Sequence, residues 1–186
     1  MKAKVAIIGS GNIGWAIKRL LKDDDYEVKS GDIRDGMDAN SKDQVKKFLK
    51  DQSAVISAGP YAVNKNIADV ASDMGIGYFD LTEDVSTTEY VKSKKSNSVL
   101  IPQCGLAPGA INICAAEMIT EFDEVNEVLM RVGALPKYTT NEMSYYLSWS
   151  TNGLINEYCN EADVIYEGTK QKVMPLEGME KLIIEG

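Results

Sequence analysis

The first two-thirds of the chain alternates short, mostly apolar runs with stretches in which apolar residues recur every three or four positions. Short apolar runs are typical of buried strands, and the periodic stretches are typical of amphipathic helices. Five runs predict strands: "KVAII", "YEVKS", "SAVISA", "GYFDL" and "SVLIPQ". A helical stretch separates each run from the next, so the pattern predicts an α/β fold with a doubly wound parallel sheet of the Rossmann type.

Three of the predicted helices carry specific signals. The first, in "NIGWAIKRLLK", is expected to pack on the sheet through one apolar face, formed by Ile13, Ile17, Leu20 and Leu21. Ser41 is expected to cap the second helix, in "SKDQVKKFLKD", and Gly75 to end the third, in "NKNIADVASDMG". A hydroxyl before a helix and a glycine after it each satisfy backbone groups that the helix leaves unpaired.

The pattern changes near "GLAPGAINICAAEMI", where a helix is expected to begin at Pro108 or Gly109. Beyond it the sequence predicts strands in "VNEVLMRVGAL", "MSYYLSWS", "ADVIYEG" and "KVMPLE", a turn at "GTKQ", and one short helix in "GLINEYC". We therefore expect a dinucleotide-binding domain over residues 1–116. Residues 117–186 are expected to form a partial α+β substrate-binding or dimerisation domain with an open, mostly antiparallel sheet.

The stretch "VAIIGSGNIG" places glycines 9, 11 and 14 in a G-x-G-x-x-G pattern between a predicted strand and a predicted helix. In a dinucleotide site the first glycine permits the turn, the second lets the backbone approach the pyrophosphate, and the third lets the helix lie close to the strand. The helix N-terminus then offers N–H groups to the anion. A glycine-rich turn without a ligand is the alternative.

Asp32 follows the second predicted strand, close to the roughly 20-residue spacing of a ribose-binding acid. Its carboxylate is expected to accept hydrogen bonds from the ribose hydroxyls and to repel a 2′-phosphate. This favours NAD as the cofactor, with NADP as the alternative. Arg34 lies two residues later and could instead pair with that phosphate or stack on adenine.

Composition excludes several classes of function. The formal charge of −8 and the interleaving of lysines with acids argue against a nucleic-acid partner. The chain has no histidine and three cysteines without a C-x-x-C pair, which excludes Ser-His and Cys-His triads and makes a metal site unexpected. No apolar run has the length of a membrane span, and no signal peptide is visible. We therefore expect a cytoplasmic protein without a membrane partner.

Later motifs resemble those of the saccharopine dehydrogenase family. These are "SAGPYAVNKNIADVASDMGIGYFDLTED", "QCGLAPGAINICA", "VGALP" and "YYLSWSTNGLINEYCNEADVIYEGTKQKVMPLEGMEKL". Ala107 and the acidic "DLTED" look most like the lysine 6-dehydrogenase branch, since saccharopine reductases usually carry Asp in place of Ala107. Family members are about twice as long. We therefore expect either a fragment or a short form that completes its fold by oligomerising.

The resemblance implies an NAD(P)-dependent oxidoreductase that acts on the C–N bond of a lysine-like amino acid. Its reaction needs neither a metal nor a histidine. Residues expected to hold the cofactor are Gly9, Gly11, Asn12, Ile13, Gly14, Asp32, Arg34, Gly59, Pro60, Tyr61 and Pro108. Pro108 is included because the helix that starts there could hold the cofactor amide or a substrate carboxylate; an ordinary helix with Pro in its first turn is the alternative.

The candidate catalytic residues are Asp80, Glu83 and Cys104. A carboxylate after the fourth strand could hold a substrate ammonium or take its proton. Alternatively, Asp80 caps a turn while Glu83 and Asp84 are solvated, and Cys104 is a small buried residue.

Two other functions are compatible with the sequence. One is a non-catalytic nucleotide-binding module or remnant, and the other is a semialdehyde reductase of the homoserine dehydrogenase type. A homodimer is expected, because one short helix cannot cover the predicted second sheet and a second copy would cover it.

Overall fold

The computed structural model describes residues 2–21, 25–133, 136–138, 141–142, 145–147 and 151–181. The chain divides into two compact units, residues 1–134 and 135–186. The predicted domain boundary after residue 116 falls inside a helix of the first unit. A division by compactness does not test where functional domains meet, so that boundary stays a prediction.

The first unit is built on a five-stranded sheet in which every neighbouring pair is parallel. The order across the sheet is β2-β1-β3-β4-β5. The strands are β1 (Ala3–Ile8), β2 (Tyr26–Gly31), β3 (Ala54–Ser57), β4 (Gly77–Asp80) and β5 (Leu100–Ile101). All five predicted strands are present, and the doubly wound α/β prediction is confirmed.

Four helices connect the five strands, and a fifth helix follows the last strand, as the sequence predicts. They are α1 (Asn12–Leu20), α2 (Lys42–Phe48), α3 (Asn64–Met74), α4 (Val85–Ser93) and α5 (Ala110–Ile119). The backbone N–H of Gln44 donates to Ser41 Oγ at 3.4 Å, and Gly75 ends α3 in the left-handed conformation with φ 69°. Both predicted helix boundaries are therefore confirmed.

The order of the strands shows where the connections that leave neighbouring strands run in opposite directions. The chain leaves β1 towards β2 on one side and reaches β3 on the other, so the loops after β1 and β3 move apart. In doubly wound sheets this divergence opens a crevice at the carboxyl edge. The Rossmann order 3-2-1-4-5-6 has one more strand beyond β2 than the described residues contain.

The core lies between the sheet and a layer made by α2, α3 and α4. Its fully buried members include Val45 and Leu49 from the region of α2, Ile67 from α3, and Val55 and Tyr78 from the strands. Right-handed crossovers place these three helices on one face of the sheet and α1 on the other.

The expectation for the apolar face of α1 is wrong for part of that face. Ile13 and Leu20 are exposed, Ile17 and Leu21 are half-buried, and Gly14 is the buried residue of the helix. The helix contacts the sheet through a glycine, so its backbone rather than its large side chains forms the contact. Helix α5 is similarly uncovered: it has no buried residue, and Ile113 is 71% exposed.

The described part of the second unit contains α6 (Thr151–Cys159) and a hairpin of β6 (Ala162–Tyr166) with β7 (Thr169–Val173). The predicted short helix and the antiparallel pairing are confirmed. The turn lies at Glu167 and Gly168 rather than along "GTKQ", because both residues adopt the positive φ that tight hairpins require.

The wider open sheet is not present in the described residues. Residues 125–133 of the predicted strand "VNEVLMRVGAL" have no regular structure, and the remaining two lie outside the described residues. In the predicted strand "MSYYLSWS", residues 145–147 form no strand, and the other five residues lie outside the described ranges. In the described ranges no helix is long and apolar enough to cross a membrane.

A charged cluster joins the three helices that cover the core. The Asp69 carboxylate on α3 accepts hydrogen bonds from Lys42 Nζ at 2.8 Å, from Lys94 Nζ at 2.6 Å and from the Tyr90 hydroxyl at 2.7 Å. Burial alone would raise the pKa of the Asp69 carboxyl, but the hydrogen bonds from Lys42, Lys94 and Tyr90 outweigh it and lower the pKa to about 2. The ionised carboxylate therefore stabilises the packing of α2, α3 and α4.

Replacing Asp69 with Asn should lower the free energy of unfolding at pH 7 by about 1–2 kcal/mol. A lowered carboxyl pKa gives stability that is complete above the unfolded pKa near 4 and is lost as the pH falls through about 2. The difference between wild type and Asp69→Asn should therefore shrink from pH 5 to pH 2 in urea titrations. Asp73→Asn, on the exposed side of the same helix, is the control; an equal loss there would contradict the cluster's role.

Candidate functional site

The loops that carry most of the predicted site residues leave the carboxyl ends of neighbouring strands. Register aligns Ile8 of β1 with Ser57 of β3, and Ser57 with Asp80 of β4. The segments that follow these strands therefore emerge along one edge of the sheet. From β2 to β5 the order is residues 32–34, 9–14, 59–61, 81–84 and 102–105.

Close backbone packing shapes the glycine loop. Gly9 has φ 104°, and a Cβ there would lie 2.6 Å from the carbonyl oxygen of Ala58. A Cβ on Gly14 would overlap the carbonyl oxygen of Gly9. These two glycines are therefore required by the contact between β1, α1 and the loop after β3, whether or not a ligand is present.

Gly11 differs from both neighbours in the motif. A Cβ on Gly11 would meet nothing within 4 Å, and its φ of −71° suits any residue. Gly11 is also the N-cap of α1 and brings no capping side chain. The first-turn N–H groups of a helix have no acceptor within the helix, so this end presents unpaired donors beside open space. Asn12 and Ile13, the first residues of α1, are exposed there.

Asp32 is joined to the glycine loop and to Arg34. Its Oδ2 accepts the backbone N–H of Ser10 at 2.8 Å, and its Oδ1 accepts the Nε–H of Arg34 at 2.9 Å. The Arg34 side chain, followed by these backbone hydrogen bonds, holds the pKa of the Asp32 carboxyl well below its usual range. The carboxylate is thus ionised and held against the turn after β1.

A hydrogen bond between two buried side chains, which the sequence analysis missed, fixes the loop after β3. Ser57 and Asn64 are both buried, and the Ser57 hydroxyl donates to Asn64 Oδ1 at 2.7 Å. This bond joins the end of β3 to the start of α3 and closes the intervening loop. Gly59 and Tyr61 are half-buried in that loop and Pro60 is exposed. The sequence signal that could have revealed this hydrogen bond is a polar residue at each end of a short loop between a strand and a helix.

Asp80 is buried at the end of β4 and its carboxylate is engaged. Oδ2 accepts the Tyr78 hydroxyl at 2.7 Å, and Oδ1 accepts the N–H groups of Thr82 and Gln103, each at 3.0 Å. Burial, followed by the Asp80 charge, raises the pKa of the Tyr78 hydroxyl, which therefore remains a donor. Of the two roles weighed from the sequence, this placement favours the turn-capping role of Asp80 over a catalytic one.

Glu83 and Asp84 have different surroundings. Asp84 caps α4, because its Oδ2 accepts the N–H of Thr87 at 2.7 Å. Glu83 is half-buried and makes no hydrogen bond or ion pair with the residues that the structure describes. Among the acids at the end of β4, Glu83 is therefore the one whose carboxylate is free to contact a ligand.

Cys104 lies in the loop after β5. Its N–H donates to the carbonyl of Asp80 at 2.7 Å, and the residue is exposed. Partial burial of the sulfur, followed by the nearby Asp80 charge, raises the pKa of the Cys104 thiol. The thiol is therefore protonated at neutral pH, which makes it a poor nucleophile.

The "GLAPG" segment forms a tight loop before α5. The Ala110 N–H donates to the Gly105 carbonyl at 2.8 Å, and a Cβ on Gly109, whose φ is 140°, would overlap that carbonyl. Gly109 caps α5 and donates its own N–H to Asn112 Oδ1 at 3.0 Å. Gly109 is therefore required for the close approach, while a Cβ on Gly105 would lie 3.2 Å from the Pro108 carbonyl oxygen. Pro108 is half-buried between them.

Comparison with known proteins gives consistent results. Residues 105–184 match the model of the saccharopine dehydrogenase C-terminal domain. The chain is 24% identical to saccharopine dehydrogenase [NADP(+), L-glutamate-forming] of Saccharomyces cerevisiae, over 93% of this chain and 44% of that protein. It is 24% identical to rat mitochondrial alpha-aminoadipic semialdehyde synthase, over 90% of this chain and 21% of that protein.

A solved structure shows the same fold. Apo saccharopine dehydrogenase (L-Glu forming) from Saccharomyces cerevisiae superposes with a TM-score of 0.64 at 20% identity, covering 92% of this chain and 44% of that chain. The chain thus spans less than half the length of these relatives. Residues 105–184 thus resemble the saccharopine dehydrogenase C-terminal domain, and the chain is similar to saccharopine dehydrogenases over most of its length.

Proposed function

We propose that this chain carries the nucleotide-binding site, and residues of the substrate site, of an NAD(P)-dependent oxidoreductase acting on the C–N bond of a lysine-like amino acid. One observation carries the proposal. The acid after β2, the open helix end after β1 and the free carboxylate after β4 lie in that order along one edge of the sheet. An extended dinucleotide needs such a series for its ribose, its pyrophosphate and the reacting ring.

The residues present fit a dinucleotide. Gly9 and Gly14 bring β1, α1 and the loop after β3 into backbone contact, while Gly11 leaves open space at the unpaired N–H groups. A pyrophosphate there would accept these hydrogen bonds, and Asn12 and Ile13 would lie beside it. Gly59, Pro60 and Tyr61 would then face the nicotinamide half of the cofactor, and Pro108 would lie beyond it in the loop before α5.

The bound nicotinamide ring would supply the hydride acceptor for oxidation of the carbon next to nitrogen. Glu83 would hold the substrate ammonium or take its proton, because its carboxylate has no partner among the described residues. Asp80 would act through the backbone, holding Thr82 and Gln103 in place on either side. Cys104, protonated at neutral pH, would contribute a small neutral side chain to the wall.

The substrate class is inferred from the resemblance to saccharopine dehydrogenases. Two of the curated relatives carry that name. Ala107 and the "DLTED" segment resemble the lysine 6-dehydrogenase branch instead, in which the substrate is lysine itself. Assays with both compounds distinguish these candidates. Oxidation of neither, with cofactor still bound, would favour a nucleotide-binding module.

We also propose a homodimer in the cytoplasm. The three cysteines are free, which suits a reducing compartment. Helix α5 is apolar on most sides yet has no buried residue, and helices of that composition are normally covered.

Light scattering should give twice the chain mass, and Ile113→Glu should reduce it to that of one chain. A monomer mass for the wild type would contradict the dimer.

Gly11→Val should abolish nucleotide binding while the domain keeps its fold. The branched side chain finds space in the free protein but occupies the position expected for the pyrophosphate, so NADH and NADPH affinity should fall at least roughly a hundredfold. Gly14→Ala should instead destabilise the domain by about 1–3 kcal/mol, because its Cβ meets backbone.

The measurements are calorimetric titration and thermal unfolding on the same samples. Gly133→Val is the control, since Gly133 also has open space and lies outside the loop. Normal NADH and NADPH binding by a folded Gly11→Val variant would mean that the loop is only a turn.

Glu83→Gln should lower kcat roughly a hundredfold or more on the accepted amino acid, because the side chain can no longer take a proton. Cofactor affinity should not change, since the cofactor phosphates lie at β1. Glu89→Gln, on the exposed side of α4, is the matched control. Steady-state kinetics with separate cofactor titrations make the test, and an unchanged kcat for Glu83→Gln would rule out this role.

A further inference from the structure

One face of the five-stranded sheet is incompletely covered. Register places one apolar residue from each of four neighbouring strands in a single row: Ile7, Ile56, Phe79 and Ile101. Along this row, on the face that carries α1, the side chains pass from fully buried at Ile7 through half-buried to 44% exposed at Ile101. The opposite face is buried under α2, α3 and α4. Parallel sheets are normally covered on both faces, so the half at β3, β4 and β5 lacks a helix.

An exposed flank of α1 borders this open half. Lys18 Nζ donates to Ser30 Oγ on β2 at 2.9 Å, so the side of the helix that carries Lys18 faces β2. Successive helix residues are turned by about 100°, which places Ile13, Ile17 and Leu20 on the other side, towards β3. Leu20 is 77% exposed. This flank of α1 and the exposed side of β3, β4 and β5 form what we call the open groove.

The open groove has the dimensions of a single short helix. Neighbouring strands lie about 4.8 Å apart, so β3 and β5 are separated by roughly 10 Å, which is about the diameter of a helix with its side chains. The six residues of β1 and the four residues of β3 span roughly 20 Å and 13 Å. Helix α5 has ten residues and is about 15 Å long. It therefore fits the open groove in width and in length.

Helix α5 has an apolar face that its own chain leaves uncovered. Four of its residues recur at the spacing of one helix face: Ile111, Cys114, Ala115 and Met118. None of them is buried, and Met118 is 63% exposed. Because α5 has no buried residue and Ile101 stays exposed, the helix does not cover the open groove of its own chain.

Charge favours α5 of a second copy as the occupant. The segment from α5 to residue 127 carries five acidic residues and no basic one. All five are exposed and make no ion pair among the described residues: Glu117, Glu121, Asp123, Glu124 and Glu127. Helix α1, the wall of the open groove, carries Lys18 and Arg19 and no acidic residue. Complementary charge of this kind brings two surfaces together and fixes which surfaces pair.

We propose that α5 of one copy docks in the open groove of a second copy, alongside α1. Each chain offers one helix and one groove, so a two-fold axis repeats the contact and leaves neither surface uncovered. Docking would also fix the "GLAPG" loop, from which α5 starts. This inference rests on the proposed homodimer and specifies its surfaces.

Cysteine cross-linking tests the contact directly. Cys114 lies on the apolar face of α5, and Cys104→Ser with Cys159→Ser leaves it as the single thiol of the chain. In that background Leu20→Cys should give a covalent dimer with a short bismaleimide, and mass spectrometry of the peptides should identify the link between residues 20 and 114. Trp15→Cys is the matched control and should not form it, since Trp15 is 60% exposed on the β2 side of α1.

A charge in the floor of the groove gives a second measurement. Ile101 is partly exposed on the edge strand, so Ile101→Glu should keep the native circular dichroism spectrum while raising the dimer dissociation constant at least roughly tenfold in sedimentation equilibrium. Ile165→Glu is the control, because Ile165 lies on β6 and is 78% exposed. That control should leave the dimer dissociation constant unchanged.

The possible results separate the inference from the proposals before it. A link between residues 20 and 114 within single chains would mean that α5 covers the groove of its own chain, and would overturn the inference. A dimer that Ile101→Glu leaves intact and that lacks this link would place the interface elsewhere, with the homodimer still standing. A monomeric wild type would overturn the inference and the homodimer together, while cofactor titration would test the oxidoreductase independently.

Discussion

The approach of backbone to backbone at Gly9 is the constraint on which the rest of the site depends. Because residues 9 and 14 carry no side chain, the turn after β1 contacts both the loop after β3 and the first turn of α1. That contact brings the open end of α1 to the edge where β1 and β3 diverge. It also places the Ser10 N–H within 2.8 Å of Asp32, so the same turn holds the acidic residue after β2. The unpaired N–H groups at the start of α1 and the charges of Asp32 and Arg34 are thereby set at fixed positions along one edge.

The other end of the site is organised by Asp80. Three hydrogen bonds to its buried carboxylate join β4, the loop after β4 and the loop after β5. One of them holds Gln103, whose φ of 64° is unusual for a residue other than glycine. A rigid support of this kind leaves Glu83 free to contact a ligand while its neighbours are fixed. Among these acids, Asp80 thus supports the loops, Asp84 caps α4, and Glu83 has no partner among the described residues.

Much of the fold could be predicted because its signals are local. Apolar runs marked all five strands of the first unit, Ser41 and Gly75 marked helix ends, and the glycine spacing marked the turn after β1. What the sequence could not supply depends on contacts between distant residues. The face of α1 at Ile13 and Leu20 is apolar yet exposed, and residues 125–133 are rich in apolar residues yet form no strand. The hydrogen bond from Ser10 to Asp32 and the burial of Asp80 likewise depend on contacts that spacing does not encode.

The central claim is that a nicotinamide dinucleotide lies along the carboxyl edge of the sheet, with its pyrophosphate at the start of α1. Amide chemical shifts from two-dimensional NMR, recorded during titration of the labelled chain with NADPH, test this residue by residue. We predict saturable changes concentrated at residues 9–14, 32–34 and 59–61, with little change at the opposite edge, where residues 72–75 and 94–97 line a surface groove. Changes confined to that groove, or no changes at millimolar NADPH, would contradict the account.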